Sequence, residues 1–245
     1  MNSFFAAIAF LTRLPVGRFA EFDALAVGRS AGWFPLVGGI LGAIGCGVAA
    51  LLKDHLPSMV VAALLVVLDA LLTGALHMDG LADTADGFGG GRTAEDVLRI
   101  MRDHAIGSYG GLALVLLVAL KVAAYTTLLQ QHNWIPALVV IPALSRWSML
   151  LLTAALPYAR PSPSAAGGMG GSALLWGTAT IVAMLAVAGT VPGWLAAVAI
   201  AVVTACFGRY CHNRIAGITG DTLGANLELS ECAALLAFVW TRSAA

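Results

Sequence analysis

The chain has 245 residues, of which 60% are hydrophobic and 11% charged, with a formal net charge of zero and a mean hydropathy of +0.89. Soluble domains carry about 25% charged residues, so an ordinary soluble domain is excluded. A zero net charge likewise provides no field for nucleic acid or an acidic partner.

In chain order, Met1 to Val16 is apolar but lacks a basic leading segment and a small-residue cleavage site, and Arg13 and Pro15 interrupt it. It reads as a retained segment, either an interfacial helix or part of a bundle. A bilayer core about 30 Å thick needs about 20 apolar residues per helix. Trp33 to Leu52 satisfies that requirement, with Gly38, Gly42, Gly45 and Gly47 offering small faces for close helix approach. Leu56 to His77 is a second span with Asp69 inside it. Gly110 to Leu129 is a third and carries Lys121; Trp134 to Leu156 is a fourth and carries Arg146. Ala173 to Val191 and Gly193 to Phe207 form a pair joined by a Val-Pro-Gly turn. Leu227 to Trp240, begun by Glu228 and Glu231, is a weaker last segment. The expected fold class is therefore all-α, a polytopic transmembrane helix bundle of six to seven spans forming a single domain over residues 1–245. Charges inside spans are expensive, so Asp69 is expected to face the bundle interior and pair with Lys121 or Arg146. Cys46, Cys206, Cys211 and Cys232 form no C-x-x-C pair and read as small membrane hydrophobes.

With a cytoplasmic N-terminus and alternating spans, Arg13, Arg18, Arg29, Arg92, Arg99, Arg102, Arg160, Arg209 and Arg214 fall on the cytoplasmic side. Only Lys53 and Arg242 fall opposite. Basic residues accumulate on the cytoplasmic side of membrane proteins, so this orientation is expected.

Two polar segments lie on that face. Met78 to Gly110 holds Asp79, Asp83, Asp86, Glu95, Asp96 and Asp103. In His77-Met-Asp79-Gly-Leu-Ala-Asp83-Thr-Ala-Asp86-Gly87 the aspartates recur at i, i+4 and i+7, one face of a helix about 10 Å long. Three like charges on one face repel, and the pattern makes sense around a cation. Mg²⁺ takes one or two carboxylates together with phosphate oxygens and water, so Asp79, Asp83 and Asp86 are candidate metal ligands. Because the stripe continues a span at its C-terminal end, the helix dipole is expected to disfavour it. Gly89-Gly-Gly91-Arg92 reads as a mobile turn able to fold over phosphate. Thr93 opens a short helix by a capping box with Asp96. Arg99 and Asp103 are spaced for an ion pair, although Asp103 is also a candidate ligand or base. His77 and His104, each near an aspartate, are candidate hydrogen-bond donors to phosphate. The second segment, Arg214-Ile-Ala-Gly217-Ile-Thr219-Gly220-Asp221-Thr222-Leu-Gly224-Ala225-Asn226, allows tight backbone near a ligand, with Asp221 as its candidate contact.

The stretches Phe10-Leu-Thr12-Arg-Leu-Pro15, Phe34-Pro35-Leu-Val-Gly38, Thr73-Gly-Ala-Leu-His77-Met-Asp79-Gly-Leu-Ala-Asp83-Thr-Ala-Asp86-Gly87, Met101-Arg-Asp103 and Thr219-Gly-Asp221-Thr-Leu-Gly224-Ala225 together resemble the cobalamin-5'-phosphate synthase family, the adenosylcobinamide-GDP ribazoletransferases. The resemblance implies an Mg²⁺-dependent integral membrane enzyme that joins α-ribazole, or its 5'-phosphate, to adenosylcobinamide-GDP with release of GMP. For that chemistry Asp83, Asp86 and Asp103 are the candidate catalytic residues, with Asp103 or Asp221 completing the metal coordination or accepting the hydroxyl proton, and Arg13, His77, Arg92, Arg102, His104, Arg214 and Asp221 are candidate substrate contacts. The resemblance also implies the cytoplasmic (inner) membrane of a bacterium. The expected partners are these substrates and membrane lipid, with no nucleic acid; a homo-oligomer is left open. Two alternatives stand beside this reading. Asp83-Thr-Ala-Asp86-Gly87 also matches the start of the motif of CDP-alcohol phosphotransferases, but the Ala-Arg that should follow is absent. A small-solute transporter would suit Asp69, Lys121 and Arg146, but the polar residues gather at one face rather than at the midplane.

Overall fold

The computed structural model describes residues 3–19, 24–132, 134–160, 169–189 and 191–241. Helices account for nearly all of it, and among the described residues the only strand-like pairing is an isolated bridge between Tyr158 and Ile218. α1 (Ser3–Leu11) buries Ala7 and Leu11 against α2 (Ala24–Ser30) and α3 (Phe34–Leu52). With the 3₁₀ turn between them, α2 and α3 form one apolar run, Leu25–Leu52. α4 (Ser58–Thr73), α5 (Leu76–Gly90), α6 (Ala94–Ile100), α7 (Ser108–Leu129), α8 (Trp134–Ala155), α9 (Gly171–Ala188), α10 (Val191–Ile215) and α11 (Gly220–Trp240) complete the bundle. Among the described residues six helices are long and apolar enough to cross a membrane, or there are seven spans if α4 and α5 count as one broken span. The chain is thus an all-α, multi-pass membrane protein.

Lipid is as apolar as leucine, so helices in a membrane hold together by close packing rather than by hydrophobic exclusion. α3 and α8 show how this sequence achieves it. At Gly38 and Gly42 the α3 backbone lies so near Pro142, Ala143, Leu138 and Val139 of α8 that a Cβ would overlap their backbone atoms. The outward faces keep large apolar side chains such as Leu51, Trp176 and Val187 exposed, as a lipid-facing surface requires.

The structure corrects the expected span boundaries at three places. Leu56 to His77 is not one span: α4 stops at Thr73, and α5 restarts at Leu76 at 92° to it. Gly74 (φ 65°) and Ala75 (φ 56°) are both left-handed, a conformation that cannot continue a right-handed helix. The Arg13 side chain fills the space a Cβ on Gly74 would need, and the Arg13 N–H donates to Leu72 O at 2.7 Å. Second, Val191-Pro-Gly193 is the first turn of α10, where proline is well tolerated, and α9 ends instead at left-handed Gly189. Third, the last span begins at Gly220 rather than Leu227.

The membrane interior holds a charge network. Lys121 of α7 lies 2.6 Å from Glu228 and 3.0 Å from Glu231, both on α11. Arg146 of α8 meets Glu231 at 3.4 Å and Asp69 of α4 at 3.6 Å. Asp69 is therefore paired with Arg146, as expected. The four cysteines are free thiols. Arg242, used in the orientation argument, lies outside the described residues.

Candidate active site

The acidic stripe stands on α5. Because α5 is a new helix, Asp79 falls in its first turn, at the end where the dipole favours anions. That reverses the expectation of an unfavourable C-terminal position. Asp79 is exposed and Asp83 half-buried, and neither carboxylate has a hydrogen-bond partner among the described residues.

Two glycines bring α5 onto the N-terminal end of α11. A Cβ on Gly80 would stand 2.7 Å from Asp221 O, and one on Gly224 would stand 3.2 Å from the Cα and O of His77. This crossing sets Asp221 beside the stripe, so that Asp83 feels the charges of Asp79, Asp221 and Asp86. α11 itself starts with a capping box: Thr219 Oγ1 accepts from Thr222 N–H at 3.2 Å, and Thr222 Oγ1 accepts from Thr219 N–H at 2.8 Å.

The countercharge comes from a residue outside the expected site. Arg160 donates through Nη2 to Asp221 Oδ2 at 2.9 Å, while its Nε is buried without a partner. Its charge also reaches Asp83. The segment carrying it is tied to the loop before α11 by Ala159 N–H to Ile218 O (2.8 Å) and Ile218 N–H to Pro157 O (2.9 Å). Gly217 lets these strands approach, since a Cβ there would overlap Pro157 O. The only hint in the sequence was a basic residue closely following the fourth span on the face assigned to the site.

Other expected residues have different surroundings. Asp86 accepts from Gly107 N–H at 2.7 Å and Gly110 N–H at 2.9 Å, one bond to each oxygen. It thus anchors the N-terminus of α7, where several N–H groups lack intrahelical acceptors. Arg214 donates through Nη2 to Phe88 O and Gly91 O, both at 2.7 Å, and lies over the Phe88 ring. Those are carbonyls at the C-terminal end of α5, a favourable place for a cation. His77 is buried in the bundle, its Nε2 without a partner, within electrostatic reach of Arg146 and Lys121. Asp103 Oδ1 accepts from Ala105 N–H at 3.1 Å in an exposed turn. Arg92, Arg102 and His104 are exposed around α6 with no hydrogen-bond or ion-pair partner among the described residues. Arg13 lies over Gly74, at the break that launches α5.

The glycine run is helix rather than a mobile turn. Gly89 and Gly90 belong to α5, and Tyr109 packs where a Gly89 Cβ would stand. Gly87 and Gly91 let α6 lie directly on α5. The Thr93–Asp96 capping box is present: Thr93 Oγ1 accepts from Asp96 N–H at 3.1 Å and Asp96 Oδ2 accepts from Thr93 N–H at 3.4 Å, and hydrogen bonding with Thr93 holds the Asp96 carboxyl below the usual carboxylate range. Arg99 pairs with Asp96 at 3.6 Å, not with Asp103.

Among the described residues no three His, Cys, Asp or Glu side chains form a ready-made metal cage. Mg²⁺ does not require one, because it is commonly held by one or two carboxylates plus substrate phosphates and water. Asp79 and Asp83, one turn apart and free of hydrogen bonds, fit that donor set.

Carboxylates without hydrogen bonds and a part-buried arginine thus meet at one end of a multi-pass helical bundle, and comparison with known proteins gives the class of protein. The family model described as cobalamin-5-phosphate synthase matches residues 3–239. Similar proteins include the adenosylcobinamide-GDP ribazoletransferase of Ectopseudomonas mendocina (strain ymp), 42% identical over 94% of this chain and 96% of its own length. The protein of that name from Rhizobium meliloti (strain 1021) is 39% identical over 94% and 92%. That of Clostridium botulinum (strain Kyoto / Type A2) is 35% identical over 96% of each. No solved structure matches the chain. The chain belongs to the cobalamin-5-phosphate synthase family and is an enzyme, a transferase of cobalamin biosynthesis.

Proposed function

We propose that this enzyme transfers the adenosylcobinamide-phosphate moiety of adenosylcobinamide-GDP to α-ribazole or its 5'-phosphate, releasing GMP, and that it requires Mg²⁺. The observation that carries the site is Asp83, a carboxylate without a hydrogen bond among three other aspartates and beside Arg160. Such a cluster is unfavourable alone and becomes favourable when a cation and a diphosphate complete it.

Asp79 and Asp83 would hold the ion, which would supply positive charge to neutralise the diphosphate oxygens. Arg160 exchanges Asp221 for a phosphate oxygen, using the donors of a guanidinium suited to that contact. Asp221, once released, takes the proton of the attacking ribazole hydroxyl. The oxygen of that hydroxyl bonds to the phosphorus that carries the cobinamide arm, and the bond from that phosphorus to the bridging oxygen of GMP breaks. Arg92, Arg102 and His104, exposed around α6, contact the outer phosphate and nucleoside. Phosphoryl transfer depends chiefly on such positioning and electrostatic stabilisation. The membrane is the bacterial inner membrane, and the site faces the cytoplasm, in keeping with the basic residues on that face.

The test is transferase activity of the purified protein in lipid nanodiscs with adenosylcobinamide-GDP, α-ribazole and Mg²⁺. Wild type is expected to form product and GMP in equal amounts, to stop when EDTA removes the metal, and to recover on added Mg²⁺. Absence of product from well-folded wild type would sink the proposed reaction. Asp83→Ala is expected to lose at least about a hundredfold, on the scale of a removed electrostatic group at a transfer centre; full activity in that variant would remove the acidic stripe from the mechanism.

A further inference from the structure

A groove of about 500 Å³ runs between α8 and α10, floored by Leu151, Leu152, Ala155, Leu156, Ala201 and Ala205. At one end it is closed by Arg209 and His212, which follow Gly208 on α10. Both side chains are exposed, and neither has a hydrogen-bond or ion-pair partner among the described residues. The one polar group in the apolar part, Thr204, already accepts from Asn226 Nδ2 at 3.3 Å. The groove is thus apolar along its length and cationic only at its mouth.

We infer that this groove is a binding site for one anionic phospholipid, with an acyl chain along α8 and α10 and its phosphate on Arg209 and His212. The exposed residues beside it on α10, Leu195, Val198 and Val202, are large and apolar, so the groove opens toward the region where lipid tails lie. Size separates a lipid from a partner helix. A helix is about 10–12 Å across with its side chains and rises ~5.4 Å per turn, so little more than one turn of it would fill the space. An acyl chain is thin enough to occupy it along its length. Charge separates them again: a second copy docked about a two-fold axis would bring the same cationic patch to this interface, whereas a phosphate neutralises it. A long basic side chain with its stem on an apolar surface and its head at the interface is also the usual arrangement for reaching headgroups.

The site is joined to the active end of the molecule. Leu156 lines the groove and also packs in the cluster formed by Phe88 of α5, Val97 and Met101 of the α6 region, and Cys211 and Ile215 of α10. It lies four residues before Arg160 in the sequence. A seated lipid therefore buttresses the end of α8 from which Arg160 departs.

The test uses the full chain reconstituted with equal parts of phosphatidylglycerol and phosphatidylcholine, re-extracted in mild detergent and weighed by native mass spectrometry. Wild type is expected to retain one phosphatidylglycerol, favoured over phosphatidylcholine about fivefold, the scale of one arginine near an anionic headgroup. Arg209→Ala should lose the preference, while Arg99→Ala, an exposed arginine away from the groove, should keep it. Ala205→Trp, at an exposed groove position, should lose both lipids without a change in melting temperature. Equal retention of the two lipids by wild type, an unchanged preference in Arg209→Ala, or a second chain in place of the lipid would each overturn the inference.

Discussion

Asp83 and Asp86 leave α5 less than one turn apart, but their surroundings give them opposite tasks. Asp86 closes two N–H groups at the start of α7. Each such bond to a charged group contributes on the order of 1.5–3 kcal/mol when buried and less at this half-exposed position. Asp86→Ala is therefore expected to lower the melting temperature in detergent by several degrees, whatever it does to turnover. Among the described residues Asp83 has no hydrogen bond to lose, and the charges acting on it include Asp79, Asp221, Asp86 and Arg160. Asp83→Asn should leave melting unchanged or raise it slightly while abolishing product, the trade expected where a site stores unfavourable charge. The i, i+4, i+7 spacing showed that these side chains share a face. It did not show which of them was already occupied, because Gly107 and Gly110 are more than 20 residues away in the chain. Arg160 was missed for the same reason: its partner Asp221 is 61 residues distant. Arg160→Ala should weaken diphosphate binding, read as a higher KM for the nucleotide-linked substrate, with some loss of Tm because Asp221 is left without its partner; an unchanged KM would remove it from the phosphate site.

The elements were legible where one apolar run made one helix. α3, α7 and α8 lie close to where composition put them, since the hydrocarbon thickness sets their length. The α4–α5 break was hidden because Ala70 to Leu76 carries no charge or proline to mark it, and glycine occurs inside continuous membrane helices as well. What makes the break is a left-handed pair held by Arg13 and by the bond to Leu72 O. Its consequence is the placement of Asp79 at a helix start and of Gly80 against α11. Gly80→Ala would push its Cβ to within 2.7 Å of Asp221 O, so α5 and α11 must separate. Overpacking of this kind typically costs about 1–3 kcal/mol. The expected outcome is lower activity and lower Tm together, read by transferase assay and thermal unfolding. An active, equally stable variant would show that the two helices do not need this contact.

At the scale of the whole molecule, the five charged groups Asp69, Lys121, Arg146, Glu228 and Glu231 tie four helices together inside the membrane. Lys121 is the only ion-pair partner of Glu228 among the described residues. Lys121→Met should destabilise the bundle by about 3–5 kcal/mol, the scale of breaking a buried pair by removing one partner. Adding Glu228→Gln should restore part of that loss, because the uncompensated charge goes with it; a strictly additive double variant would show that the pair is not coupled. Composition determined that the chain crosses a membrane several times as helices, since in hydrocarbon every backbone group must be satisfied within its own segment. Local spacing determined the acidic face and the capping box at Thr93. Only the tertiary structure decided that α5 turns away from α4, that Asp221 and Arg160 complete the site, and that Glu228 and Glu231 belong to the interior network rather than to the start of a span. Those outcomes depend on close contacts between residues far apart in sequence, through glycines that permit approach and charges that find partners, and one-dimensional periodicity carries no record of either.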